Sequence, residues 1–168
     1  MPISSRNRDA DRAWTLTEWV QGRPLGHPSH PLFIHFPIAF YTATLVFDIM
    51  TRIERNPALV LAGTYLLIGA ALATLGAVIT GLVDWAGMVR GSSKRRTANR
   101  HLLAQVVAAI FFQTTLLLRF GSRNQQQADV LWIGLEIIGF VVLSVGQYLG
   151  GVLVYEKAMR VRTGGATD

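Results

Sequence analysis

The chain has 168 residues and a net charge of +6, with 51% of its residues apolar and only 15% charged. A soluble domain carries about 25% charged residues; the deficit here is concentrated in long runs, which rules out a disordered chain and argues against an ordinary soluble enzyme. With no cysteine there is no disulfide framework, thiolate metal site or cysteine nucleophile, and basic residues that flank apolar runs, without interleaved aromatics, do not describe a nucleic-acid binder.

Residues 1–31 hold Arg6, Arg8, Asp9, Asp11, Arg12 and several prolines but no apolar h-region, so no cleavable signal peptide is expected. Within them Trp14 to Val20 predicts a short interfacial helix, with Trp14 and Trp19 at headgroup level. Four apolar stretches follow, at 32–52, 58–82, 101–120 and 129–155. Each supplies the ~20 residues that a helix needs to cross ~30 Å of hydrocarbon. The runs are continuous and do not alternate, which favours helices over strands. The expected architecture is an all-α, polytopic four-helix bundle over 32–155, with a tail at 156–168. The short 53–57 connection makes the first two spans an antiparallel hairpin.

Gly69, Ala73, Ala77 and Gly81 recur every four residues in the second span, and Gly146 and Gly150 form a GxxxG pair in the fourth, with Gly139 on the same face. Such rows let helices approach closely in lipid. Gly76 lies off the row and reads as a control position. No convincing repeat relates the two halves, which argues against an inverted-repeat transporter.

Orientation follows from lysine and arginine. Twelve lie on the side shared by the N-terminus, the 86–100 loop and the C-terminus; four, namely Arg52, Arg55, Arg119 and Arg123, lie on the other. The asymmetry predicts both termini in the cytoplasm. The five positive charges of the 86–100 loop are accounted for by topology alone.

The histidines gather at that same side. His27 and His30 precede the first span, His35 is near its start, and His101 opens the third, with Gln105 four residues on. Asp84 ends the second span and Tyr155 with Glu156 ends the fourth, also there. Prolines stiffen the segment Gly26 to Pro31, and Pro37 is expected to kink the first span near His35. Three readings stay open. His35 and His101 ligate a b-type haem from two helices, with His27 and His30 at the propionates or as supporting donors. Alternatively His27, His30 and His35, with Asp84 or His101, bind a divalent metal. In the third, the histidines only cap helices and bond carbonyls or headgroups. Of the intramembrane acids, Asp48 is explained by an ion pair with Arg52 one turn on or by snorkelling. Glu136 reads as a protonated group hydrogen-bonded across helices, with a proton relay as the alternative.

The run Gly26-His27-Pro28-Ser29-His30-Pro31-Leu32-Phe33-Ile34-His35-Phe36-Pro37-Ile38, followed by Phe47-Asp48, resembles the opening of a bacterial membrane family called domain of unknown function 2231. Thr80-Gly81-Leu82-Val83-Asp84-Trp85, His101, Gly150-Gly151 and Val154-Tyr155 extend the resemblance over about residues 24–158. It implies four spans and the grouping of His27, His30, His35, Asp84 and His101. The family has no settled activity. Some of its relatives look fused to Rieske-type iron–sulfur domains, which implies electron transfer.

The functional expectation is therefore an electron-transfer subunit of the bacterial inner membrane, alongside a cofactor-free accessory subunit of a respiratory or photosynthetic complex. Other membrane subunits or further copies of the chain are the expected partners. No nucleophile–base pair or phosphate loop supports an enzyme. A cysteine placed at Lys94 or Arg160 should stay unlabelled by an impermeant maleimide in intact cells and react after lysis. Labelling in intact cells would invert the topology.

Overall fold

The computed structural model describes residues 13–121 and 125–161, and every element among them is helical. A short α1 (Leu16–Val20) leads into α2 (Ser29–Glu54), α3 (Pro57–Ala86), α4 (Ser93–Arg119) and α5 (Val130–Tyr155). The last four are each long and apolar enough to span a membrane. Only 17% to 28% of their most apolar windows is buried within the chain, so most of each helix surface faces lipid. The expected short helix before the first span is present, over Leu16–Val20. Thr15 and Glu18 cap it reciprocally, and Trp14 and Trp19 are exposed beside it. Residues 1–12 and 162–168 of the expected termini, and Arg123, lie outside the described residues.

Local chemistry sets the boundaries. Pro28 precedes the first turn of α2, and Ser29 hydroxyl donates to the Val20 carbonyl, tying that turn to α1. Asn56 accepts from Ala58 N–H at the start of α3, where Pro57 occupies a first-turn position that needs no donor. Helix α4 begins earlier than its apolar run, because Ser92 accepts from Arg95 N–H at its cap. His101 therefore lies about two turns inside α4 rather than opening it. Arg95 also closes the α3–α4 turn: its Nη1 donates to the carbonyls of Trp85 at 2.6 Å and Met88 at 3.2 Å, and its guanidinium stacks 3.4 Å over the Trp85 ring.

Helix α2 packs chiefly on α3 and α4 on α5, giving two antiparallel hairpins that meet through the α2–α5 and α3–α4 flanks. Across the centre, α2 and α4 touch through long side chains. Tyr41 and Phe112 stack with centroids 4.2 Å apart, and seven residues further along each helix Asp48 and Arg119 form an ion pair. Contacts that advance equally on both helices require the two to run parallel.

The same pairs reveal a repeat, against the expectation from the sequence. Asp48 and Arg119 are 71 residues apart, and that step also relates Tyr41 to Phe112, buried Thr44 to Thr115, buried Leu45 to Leu116, and His30 to His101. In the partner helices a second constant step relates Ala77 to Gly146 and Gly81 to Gly150. The two hairpins share one orientation, so they form a parallel repeat about an axis along the bundle, not an inverted one.

The small-residue rows are close contacts. A Cβ at Gly69 would meet Phe40 at 3.1 Å, and at Gly81 the His30 ring at 2.9 Å. At Gly146 it would collide with Gln105 Nε2, and at Gly150 it would meet the His101 ring at 3.2 Å. Gly76 is no control, because Phe33 would stand 2.6 Å from its Cβ. The open position is Gly134, which has nothing within 4 Å. Gly146→Leu should lower the yield of folded protein and its thermal stability far more than Gly134→Leu, as read by gel filtration and thermal unfolding in detergent. Equal effects would remove structural content from the row.

Candidate functional site

Among the described residues, polar side chains gather at both ends of the α2–α4 seam, with a smaller group midway. At the first end, His30 and His101 occupy repeat-related positions and are treated alike by their neighbours. His30 Nδ1 lies 3.0 Å from the Ala77 carbonyl and 3.2 Å from Thr80 Oγ1, while His101 Nδ1 lies 2.7 Å from the Gly146 carbonyl. A carbonyl only accepts, so each Nδ1 carries the proton and donates. In the neutral ring Nε2 then holds the free lone pair. Gly81 and Gly150, one turn beyond the accepting carbonyls, give each ring the space that a Cβ would fill. His30 is within electrostatic reach of both His101 and Asp84.

The other expected ligands diverge. His27 is exposed in the turn before α2, and His35 lies on the exposed face of that helix. Asp84 is buried and held by Arg160, with Nε at 3.1 Å and Nη2 at 2.5 Å. Among the described residues no three His, Asp or Glu side chains gather as a metal-holding group. The five residues His27, His30, His35, Asp84 and His101 thus share an end of the bundle without sharing a centre. An axial pair of His35 with His101 does not fit this arrangement, since one ring faces outward and the other turns onto α5. One turn deeper than His101, Gln105 Nε2 is buried with no acceptor.

Midway along the seam, the Tyr41 hydroxyl lies 3.2 Å from Thr74 Oγ1 and accepts from Gln113 Nε2 at 2.9 Å. At the far end, Arg119 joins Asp48 and Glu136: its Nη2 donates to Asp48 Oδ2 and, at 3.0 Å, to Glu136 Oε1. Its Nη1 reaches the Val60 carbonyl at 3.3 Å and Thr64 Oγ1 at 3.4 Å, and its guanidinium lies 4.7 Å over the Trp132 ring. All four spanning helices therefore meet at one arginine. The expected Asp48–Arg52 pair is not formed. Arg52 instead donates to Gln127 at 3.2 Å and the Ala128 carbonyl at 3.3 Å, closing the α4–α5 loop. Arg119 was legible only as a flanking charge; its signal was two acids in neighbouring spans with no cation among them.

Four lipid-facing helices around a polar seam define a multi-pass integral membrane protein. The family described as "Predicted membrane protein (DUF2231)" matches residues 26–163, and the chain belongs to it. No curated protein and no solved structure matches the chain.

Removing one partner of a buried ion cluster leaves uncompensated charge and costs about 3–5 kcal/mol. Arg119→Met is expected to destabilise by that order and to reduce recovery of folded protein. Arg52→Met, which touches only the loop, should cost about 1 kcal/mol, the scale of an ordinary hydrogen bond. Thermal unfolding in one detergent compares the two directly, and equal losses would deny Arg119 its central place.

Proposed function

We propose that this chain is an integral-membrane electron-transfer subunit whose redox group, a b-type haem, is held by His30 and His101. The observation that carries this reading is the matched fixation of the two rings. Each donates Nδ1–H to a carbonyl of the neighbouring helix, His30 to Ala77 and His101 to Gly146. Ligating histidines are oriented in this way through the ring nitrogen that does not bind the metal, and Nε2 is left as the ligand. Two imidazoles on parallel helices, at repeat-related positions, suit a group ligated from both sides. Gln105 Nε2, a buried donor with no acceptor, adds polarity to the same region. A haem would supply one-electron chemistry; the chain's own residues fix the rings and exclude lipid. The lysine and arginine asymmetry supports a cytoplasmic histidine end in a bacterial inner membrane. Electrons then pass to or from other membrane subunits.

The protein, expressed with a haem precursor and purified in mild detergent, should show a Soret band and the sharpened α and β bands of reduced six-coordinate haem. His30→Ala and His101→Ala should each abolish the six-coordinate spectrum, while His35→Ala and His27→Ala leave it intact. A folded wild-type protein with neither a Soret band nor metal by elemental analysis would defeat this reading. The cofactor-free accessory subunit would then stand in its place.

A further inference from the structure

We propose that Asp48 and Glu136 together bind one proton, shared between Asp48 Oδ1 and Glu136 Oε2. The site lies at the end of the bundle opposite the histidines and does not depend on a haem being bound there. The first ground is charge. Two carboxyl groups face one guanidinium, and the three side chains are 0%, 0% and 2% exposed. Ionised throughout, the cluster would carry one uncompensated negative charge in a low-dielectric interior.

The second ground is hydrogen bonding. Arg119 Nη2 engages Asp48 Oδ2 and Glu136 Oε1. The remaining oxygens, Asp48 Oδ1 and Glu136 Oε2, are both buried without a donor. Both carboxyl groups accept from the same Arg119 Nη2, which sets them side by side. Two carboxylates cannot bond to one another, but a carboxylic acid donates to a carboxylate through a short, charge-assisted O–H···O bond. One proton therefore satisfies both orphaned oxygens and brings the cluster to neutrality.

Arg119 Nε is also buried without a partner, but as a fixed N–H donor it leaves the net charge of the cluster unchanged, and among the described residues no other group takes this role. From α3 the cluster meets Gly63, whose Cβ would stand 3.1 Å from Asp48 Oδ1, and the Val60 carbonyl and Thr64 hydroxyl, which face Arg119. On α2, Thr44 donates to the Phe40 carbonyl and Thr51 to that of Asp48 itself. On α4, Thr115 donates to the Phe111 carbonyl, and on α5 Trp132 presents its ring to Arg119. Asp48, Arg119 and Glu136 are the charged groups facing one another here, with Arg52 turned to the loop. A hard cation takes about six or more oxygens, and Asp48 and Glu136 have two to offer. A proton needs only those two.

Infrared spectroscopy of the full chain in lipid nanodiscs at neutral pH reads the proton directly. The expected result is a carboxylic-acid C=O band with the intensity of one group per chain, shifted downward in D2O and indifferent to sodium. Glu136→Gln and Asp48→Asn should each abolish the band with helicity retained. In either variant the amide donates where the proton did, and the remaining carboxylate pairs with Arg119. A folded wild-type protein without the band overturns the proposal. So does a band that survives in both folded variants, or one that sodium removes, which would make a cation the ligand. Should neither variant fold, the wild-type spectrum decides: a band that moves with carboxyl-labelled aspartate or glutamate supports the shared proton, and its absence refutes it.

Discussion

Arg119 is the constraint from which the rest of the bundle follows. Hydrocarbon offers no hydrophobic force to bring helices together, so packing and polar contacts must fix their arrangement. A guanidinium is planar and always charged, with five donors in fixed directions. Here it reaches carboxylates on α2 and α5 and a carbonyl on α3 from its own place on α4. Sliding any of these helices by one turn, about 5.4 Å, would strand a buried charge. The cluster thus sets register as much as stability, the best-attested use of buried polar groups. Gly63 makes the approach possible, since a Cβ there would press on both Asp48 Oδ1 and Arg119 Nη1.

Once Asp48 and Arg119 are opposite, the parallel register of α2 and α4 places everything else along the seam. Seven residues back, about 10 Å along the axis, Tyr41 and Phe112 come together. Eleven residues further, close to three full turns, His30 and His101 return to the same face. The seam from charge cluster to histidines is about 27 Å long at 1.5 Å per residue, close to the thickness of the hydrocarbon. The two polar ends therefore sit near opposite edges of the membrane, and the aromatic stack fills the middle. The repeat keeps this frame while changing the chemistry at its ends. Equivalent positions hold the same residue, histidine, at one end and residues of opposite charge at the other. Two identical charges at the Asp48 and Arg119 positions would repel, so the ion pair depends on the hairpins having diverged there.

Much of this was legible in the sequence, for definite reasons. Span number, the short helix before the first span and the close-contact rows follow from apolar length, tryptophan placement and glycine spacing, all of them local signals. The start of α4 was not legible from hydropathy, because Lys94 to Arg100 is helical but polar. Hydropathy measures hydrocarbon, not helix; only Ser92 as a cap marks the true boundary. The side on which the histidines fall can be read from span order, but the direction of each ring cannot. His30 and His35 are five residues apart, about 140° around a helix of 3.6 residues per turn, so the two cannot both face inward. That angle follows from their spacing alone. The partner of Asp48 does not, because i to i+4 spacing favours Arg52 locally, and a contact across 71 residues leaves no local trace. The repeat escaped for a related reason: its matched positions hold Tyr against Phe, Pro37 against Ala108 and Asp against Arg, alike in place and unlike in type.

The two ends of the seam also differ in how their polar groups are satisfied, and this separates their roles. At the charge cluster, donors and acceptors face one another across helices, so their first effect is to lock the bundle. At the histidine end, each ring is tied back to the neighbouring helix of its own hairpin, His30 to α3 and His101 to α5. Those bonds do nothing to hold one hairpin against the other. They fix the orientation of two rings across a boundary that the rest of the seam keeps in register. Gln113 and Tyr41, midway along the seam, do bond across that boundary. Contact between the hairpins is thus left to the aromatic stack and the charge cluster further along the seam.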